Sequence, residues 1–315
     1  MADRLAPPAS GRIVYQARLA FAIAAAMVPA AILALVLLGY DSYERGRDRH
    51  VRDSTATARA LAAAVDAELL GVRSALFALA TSPYLASNDL AAFHRQASAA
   101  LEGQLFSNIV LFDADLRQRM NTLRPFGAAL PLEQNTMLKR AVAEGAPVFM
   151  DLIQGRVAGR PLTGVAVPVR ANGAVRYVLS AGIFPERLAG VLTQQRLPAS
   201  WVAVILDGTG TVVARTHDPE RFVGGKASAT LVQQAARAAE GHFDSATLEG
   251  IPVLTVFSRA PASGWTVAIG IPRSEMLREL WLAVARLGIV GFLLLGSALG
   301  AAIYIGGRLD RAAAR

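Results

Sequence analysis

Two stretches of the chain decide how the rest is read: Asn108–Thr122, NIVLFDADLRQRMNT, and Val202–Thr216, VAVILDGTGTVVART. Laid over each other, Val110-Leu111-Phe112-Asp113 falls on Val204-Ile205-Leu206-Asp207, and Thr122 falls on Thr216. Each is an apolar strand, a turn opened by an aspartate, and a second strand. Asp207-Gly208-Thr209-Gly210 carries the fuller hairpin chemistry, and Asp113-Ala114-Asp115 is its weaker counterpart.

The duplication extends outward from these hairpins. Helices are expected at Leu132–Glu144, ended by Gly145, and at Ala229–Glu240, ended by Gly241. Strands follow at Val148–Ile153, Leu162–Val169 and Val175–Ile183 in the first half, and at His242–Leu248, Pro252–Arg259 and Trp265–Ile271 in the second. Ala171-Asn172-Gly173 and Ala262-Ser263-Gly264 supply the turns. Both halves close on strand, proline, helix: Ile183-Phe184-Pro185-Glu186 and Ile271-Pro272-Arg273-Ser274. Repeated order of this kind predicts an α+β protein with two tandem modules, each an antiparallel sheet flanked by helices.

Upstream, the proline-free stretch Asp41–Leu79 reads as one long helix, with Ser82-Pro83 as its end. Val51, Ala58, Val65, Val72 and Leu79 recur every seven residues, with Thr55, Ala62, Leu69 and Leu76 between them, which is the pattern of an a/d seam. Ala63, Leu70 and Phe77 widen the apolar side. The seam predicts a homodimer through this helix, and the alternative is an amphipathic helix serving only its own domain.

The chain has 315 residues, 53% of them hydrophobic, with the apolar content concentrated towards both ends. Leu19–Tyr40 and Leu287–Ile305 are uncharged and about long enough to cross a bilayer as helices. Pro29 is tolerated inside such a span, and Asp41-Ser42-Tyr43-Glu44 offers no signal-peptidase site. Trp281 and Tyr304 fit interfacial positions around the second span, where Arg286 can snorkel. Arg4, Arg12 and Arg18 precede the first span, and Arg308, Arg311 and Arg315 follow the second, which predicts both termini in the cytoplasm. The expected plan is a tail 1–18, a span 19–40, an extracytoplasmic region 41–280, a span 281–305 and a cytoplasmic helix start 306–315. Within the extracytoplasmic region, 41–80 is the long helix, 81–195 the membrane-distal module and 196–280 the membrane-proximal one. In a bacterium this is a two-pass inner-membrane protein with its folded region in the periplasm or outside the cell.

Together, the membrane-helix start, the long helix, the paired VLFDAD and VILDGTGTVVA hairpins and the phrase SGWTVAIGIP resemble the double Cache sensor family. These are extracytoplasmic PAS-like domains of bacterial receptors, and the resemblance covers the whole 41–280 region. It implies a receptor that binds a small molecule in the distal module and signals through the second span. Only Gly306–Arg315 follow Ile305, so a downstream signalling domain or protein is expected as partner. The helical ending LDRAAAR favours the input part of a two-component histidine kinase over that of a chemoreceptor or diguanylate cyclase. A non-catalytic membrane scaffold or partner-sensing protein is the alternative.

Composition excludes several classes. No cysteine is present, so disulfides, thiolate metal sites and cysteine nucleophiles are out. The net charge of +8 is carried by scattered arginines, with Lys139 and Lys226 the only lysines, which is not a nucleic-acid footprint. The chain contains none of the phosphate-loop, dinucleotide, zinc-protease or nucleophile-elbow motifs. His50, His94, His217 and His242 share no metal-ligand spacing. No catalytic site, cofactor or metal is therefore expected. For a ligand, the distal module offers Arg119, Asn121, Asp151, Arg160, Thr163, Tyr177 and Ser180 on or beside its strands. Arg119 or Arg160 would grip a carboxylate, Asp151 would pair with an amine and Tyr177 would wall the site, which points to an organic acid. The resemblance's amino-acid-binding signature of Tyr, Arg and Trp is absent.

Overall fold

The computed structural model describes residues 51–102, 105–132 and 135–275, together with scattered helical positions between 281 and 304. Residues 51–273 form one compact unit. The first span 19–40, the helix start 41–50 and the tails 1–18 and 306–315 lie outside the described residues. Among the described residues, no helix is long and apolar enough to cross a membrane. At the described positions between 281 and 304 the backbone is helical, and Trp281, Ile289, Phe292 and Leu293 are exposed.

The two modules have the same topology. In the first, β1 (Asn108–Asp113), β2 (Gln118–Asn121), β3 (Val148–Gln154), β4 (Pro161–Ala171) and β5 (Ala174–Ile183) form a five-stranded sheet of order β2-β1-β5-β4-β3. In the second, β6 (Val202–Leu206), β7 (Val212–Arg215), β8 (Glu240–Ala246), β9 (Pro252–Arg259) and β10 (Thr266–Pro272) give the order β7-β6-β10-β9-β8. All pairings are antiparallel, and the register slips at equivalent places, Leu111/Phe112 and Ile205/Leu206.

The aspartates opening the hairpins act as staples. Asp113 Oδ1 accepts the N–H groups of Asp115 (3.1 Å) and Arg117 (2.9 Å). Asp207 Oδ1 accepts those of Thr209 and Thr211, both at 2.9 Å. The position needing positive φ is Gly210 (φ 76°) in the second turn but Leu116 (φ 61°) in the first. Only glycine adopts that backbone without a side-chain penalty, so the first turn is the more strained. Leu116 is retained with its side chain 5% exposed in the core.

A single helix, α1 (51–80), covers one face of both sheets. Ala58, Ala62, Val65, Leu69, Val72 and Leu76 are at most 3% exposed. They pack in one cluster with Ile109, Leu111 and Leu179 of the first sheet and Ile205, Val267 and Ile269 of the second. From Ala58 to Leu76, the residues that read as a dimer seam are thus the inner face of the chain's own core, because two sheets in series supply a partner along that length, while Val51 and Thr55 stay half-buried outside it. The flanking stripe is the outer one: Ala63 is exposed and Phe77 is 42% exposed. A buried carboxylate fixes the helix to the second module, since Asp66 accepts the N–H groups of Ala262 (2.7 Å) and Ser263 (2.9 Å) at the β9–β10 turn. Beyond α1, Ser82 caps α2 (Pro83–Ala86), and Asp89 caps α3 (Leu90–Ala99).

The opposite face of each sheet has its own helix and a smaller core. In the first module α4 (Thr136–Glu144), ended by Gly145 at φ 58°, packs Leu138 and Ala141 on Val110, Val148 and Val178. In the second, α7 (Ala229–Arg237) packs Leu231 and Ala235 on Leu206, Val212 and Ala268. Two short elements complete the fold, α5 (Pro185–Gln194) and α6 (Pro219–Phe222).

The helix expected to run to Glu240 stops at Arg237, and Glu240-Gly241 begin β8 instead. Ala238 is already extended (φ −139°, ψ 153°). Gly241 serves close approach rather than helix termination: a Cβ there would meet the Phe257 ring at 3.1 Å. Strand pairing and the Arg59–Glu240 ion pair (2.8 Å) outweigh the local helix-end signal.

Leu69→Ala should cost about 2–5 kcal/mol of stability, as buried leucine truncations do, whereas Phe77→Ala should stay within about 0.5 kcal/mol. Chemical denaturation of the two variants, at two protein concentrations, checks this. A concentration-dependent loss confined to Leu69→Ala would show that this face also serves a dimer.

Candidate functional site

The first module holds a cleft between its sheet and α4. Asn108, Gly182 and Met150, three members of the cross-strand row Asn108–Gly182–Gly164–Met150, line it. The missing Cβ at Gly182 admits the Asn108 amide, since a Cβ there would lie 2.1 Å from Asn108 Oδ1. Val110, Phe112, Leu138 and Leu162 give apolar walls, and Gln118, Asn121, Asn135, Arg156 and Ser180 add polar groups. The cavity is about 50 Å³, room for roughly three to five water-sized groups at ~10–15 Å³ each.

The amide groups in this cleft have an assigned direction. The backbone N–H of Leu123 donates to Asn121 Oδ1 (3.0 Å), so that atom is the oxygen. Asn108 therefore presents Nδ2 to it (3.4 Å), and Asn121 Nδ2 donates onward to Gln118 Oε1 (3.2 Å). At the head of this chain, Asn108 Oδ1 has no hydrogen-bond partner although the residue is only 4% exposed. An unmatched buried acceptor costs about 1–3 kcal/mol. Opposite it, Asn135 caps α4 by accepting from Met137 N (2.7 Å), and Arg156 Nη1 donates to Leu132 O (3.1 Å) at the rim.

Of the seven residues singled out from sequence, the cleft brings together Asn121 and Ser180. Thr163 and Tyr177 lie on the α1 side of the sheet. Thr163 Oγ1 donates to Met150 O, and Tyr177 donates to Asn88 Oδ1 at 2.6 Å. Arg119 is half exposed, 4.0 Å from Asp113. Arg160 pairs with Glu186 and stacks over Phe184, 4.2 Å from the ring centroid. The two arginines expected to hold a carboxylate therefore stand outside the cleft. Asp151 faces the second module, where its Oδ1 accepts Gly208 N–H (3.0 Å) while Asp207 Oδ2 accepts Leu152 N–H (3.0 Å). Asn108, Gln118, Asn135 and Arg156 escaped sequence reasoning. For Asn108 a signal existed, since the duplication aligns this polar residue with Val202.

No family model matches the chain, and no curated protein matches it. Solved structures share its fold. The extracellular domain of rpHK1S-Z16, assigned as a histidine kinase, is 16% identical, with 73% of this chain and 96% of that one covered at a TM-score of 0.61. The ligand-binding domain of the Pseudomonas fluorescens chemoreceptor CtaA, solved with L-isoleucine, is 12% identical over 76% of this chain and 98% of that one (TM-score 0.55). That of the Pseudomonas aeruginosa chemoreceptor PctC, solved with GABA, is 15% identical over 70% and 99% (TM-score 0.51). The fold is thus that of extracellular sensor domains, two PAS-like modules in tandem on a long helix.

Burial pushes the Asp151 carboxyl above the ordinary aspartate range, helped by the charge of Asp207 and opposed by Gly208 N–H and Lys226. A raised folded-state pKa means its contribution is fully present below the unfolded value, ~4, and is lost as pH rises through the folded value. Asp151→Asn keeps the oxygen for Gly208 and removes the repulsion. Its melting temperature should exceed wild type at pH 7, with the gap closing towards pH 4. Parallel curves across that range would overturn the assignment.

Proposed function

We propose that the chain is a membrane-anchored extracytoplasmic sensor whose first-module cleft binds a small polar molecule directly. The observation that carries this is Asn108 Oδ1, a buried acceptor in the cleft without a donor. A ligand bringing an N–H or O–H group satisfies it, while Gln118 and Arg156 supply donors to the ligand's other end. The cleft's amide and hydroxyl lining favours a small hydroxyl- or amine-bearing compound over the organic acid expected from Arg119 and Arg160. The shared fold with sensor domains solved with small ligands supports the same reading. Filling the cleft presses on a sheet whose other face is α1, and β10 leads in sequence into 281–305. The ligand acts by preferring one arrangement of sheet and helix over the other. The apolar run Leu287–Ile305, with Phe292 78% exposed, supports a membrane span. Likeness to rpHK1S-Z16 supports a histidine kinase as the route onward.

Thermal shift of the full chain against amines, polyols, amides, amino acids and organic acids tests the binding. A true ligand at a hundred times its Kd stabilises by about 2.7 kcal/mol. Asn108→Val copies the residue of the second module. It should abolish the response while leaving the unliganded protein as stable as wild type or more so. No response from any class would favour a scaffold or partner-sensing protein.

The absence of native cysteine makes topology testable. Ser74→Cys, on the exposed side of α1, should react with a membrane-impermeant maleimide on intact cells, and Arg308→Cys only after lysis. Equal protection of both would overturn the two-span arrangement.

A further inference from the structure

The second module carries a recess at the same place on its sheet, but with different chemistry. Arg215 stands where the first module has Asn121. Each precedes the threonine whose Oγ1 accepts a backbone N–H from the neighbouring strand, Ile109 N to Thr122 (2.9 Å) and Ala203 N to Thr216 (3.0 Å). Arg215 is 4% exposed and borders a cavity of about 60 Å³. Leu231 of α7, Val253 of β9 and Ala268 of β10 make its apolar wall. Ser245 and Thr255, also at its edge, satisfy each other at 2.7 Å. The guanidinium stacks over Phe222 (4.1 Å) and donates from Nη1 to His217 O (3.0 Å) and from Nη2 to Glu249 (2.8 Å).

A buried arginine beside apolar walls needs an anion. Here the anion comes from the β8–β9 turn, whose Leu248 and Ile251 are 42% and 48% exposed. Burial pushes the Glu249 carboxyl up, but hydrogen bonds from Arg215, Thr247 and its own backbone amide, with the charge of Arg215, hold it below the ordinary carboxylate range. The turn keeps its own hairpin hydrogen bonds, Thr247 N–H to Ile251 O and Gly250 N–H to Thr247 O (both 2.9 Å), and the Glu249 side chain is tied to the sheet by Arg215. On its other side Arg215 borders a wider recess of about 370 Å³ between α5 and α6, lined by Pro185, Ala189 and Pro219. Arg215 thus lies between the two recesses, with its side chain 3% exposed.

We propose that this cavity is a second small-molecule site, which takes a short-chain carboxylate. The ligand's carboxylate replaces Glu249 on Arg215, and its alkyl part lies against Leu231, Val253 and Ala268. The cavity volume admits roughly four to six non-hydrogen atoms at ~10–15 Å³ each, the size of acetate, propionate or butyrate. Binding exchanges one carboxylate for another on the same guanidinium, so the buried charge stays paired, and the Glu249 side chain is released to solvent. The site is chemically independent of the amide-lined cleft of the first module.

Calorimetric titration of the full chain with acetate, propionate and butyrate, and with propionamide as the uncharged control, tests this. At least one acid should bind once per chain, and the amide should not. Glu249→Gln removes the competing charge, so the acid should bind about tenfold tighter, the scale of one charged hydrogen bond. Ala268→Met fills the cavity with the ion pair intact and should abolish binding. Asn108→Val should leave it unchanged, which separates failure of this site from failure of the first. Absence of binding even in Glu249→Gln, equal binding of propionamide, or undiminished binding in Ala268→Met would each overturn the proposal.

Discussion

One buried stripe of α1 is the constraint on which the structure depends. Each five-stranded sheet is apolar on both faces and cannot be stable with either open to water. Each module covers one face with its own short helix, α4 or α7, and leaves the other to α1. On that face α3 adds Phe93 and Ala97 and α5 adds Leu188 and Val191, but only α1 runs along both sheets. The two modules therefore share a wall, and Asp66 pins that wall to the β9–β10 turn with a buried carboxylate that needs both of its amide donors. A shift of either sheet against α1 disturbs packing along a helix that the other sheet also uses. The modules also touch directly, through Asp151 Oδ1 with Gly208 N–H and Asp207 Oδ2 with Leu152 N–H, so the shared helix is one of two structural links between them.

The same arrangement explains what was legible in the sequence. The duplicated strands were readable from Val110–Asp113 and Val204–Asp207 because period-two patterning and aspartate-opened turns are local signals. The helix after Val51 was equally plain from its heptads. Its partner was not, because an a/d series states that a face is buried and says nothing about what buries it. In coiled coils the partner is a helix; here two sheets occupy the same length. The end of α7 is hidden in the sequence for a related reason. Ala-Glu-Gly reads locally as a helix stop, and only the pairing of Glu240 and Gly241 with Ser258 and Phe257 makes it a strand.

Site residues were harder still. Alternation along a strand sorts residues into two faces. In most half-solvated sheets the polar face is then a candidate site. Here both faces are covered by helices, so polar residues such as Thr163 and Tyr177 serve the α1 side, while Ser180 looks into the cleft. Asp151 and Arg160 belong to the junction between modules, which no single-strand pattern encodes. The cleft is marked instead by residues that differ between the two copies at matched positions: Asn108 against Val202, Asn121 against Arg215, Ser180 against Ala268.

That division of labour between sheet faces has an evolutionary consequence. Ile109 and Leu111 in one module and Ala203 and Ile205 in the other are apolar α1-side residues that answer to a common core. The residues one step along each strand, on the opposite face, answer only to their own cavity. Substitutions there can change what a module recognises without altering how it leans on α1. A duplicated fold built this way can vary the lining of each cavity independently while the packing of both sheets on the shared helix is kept.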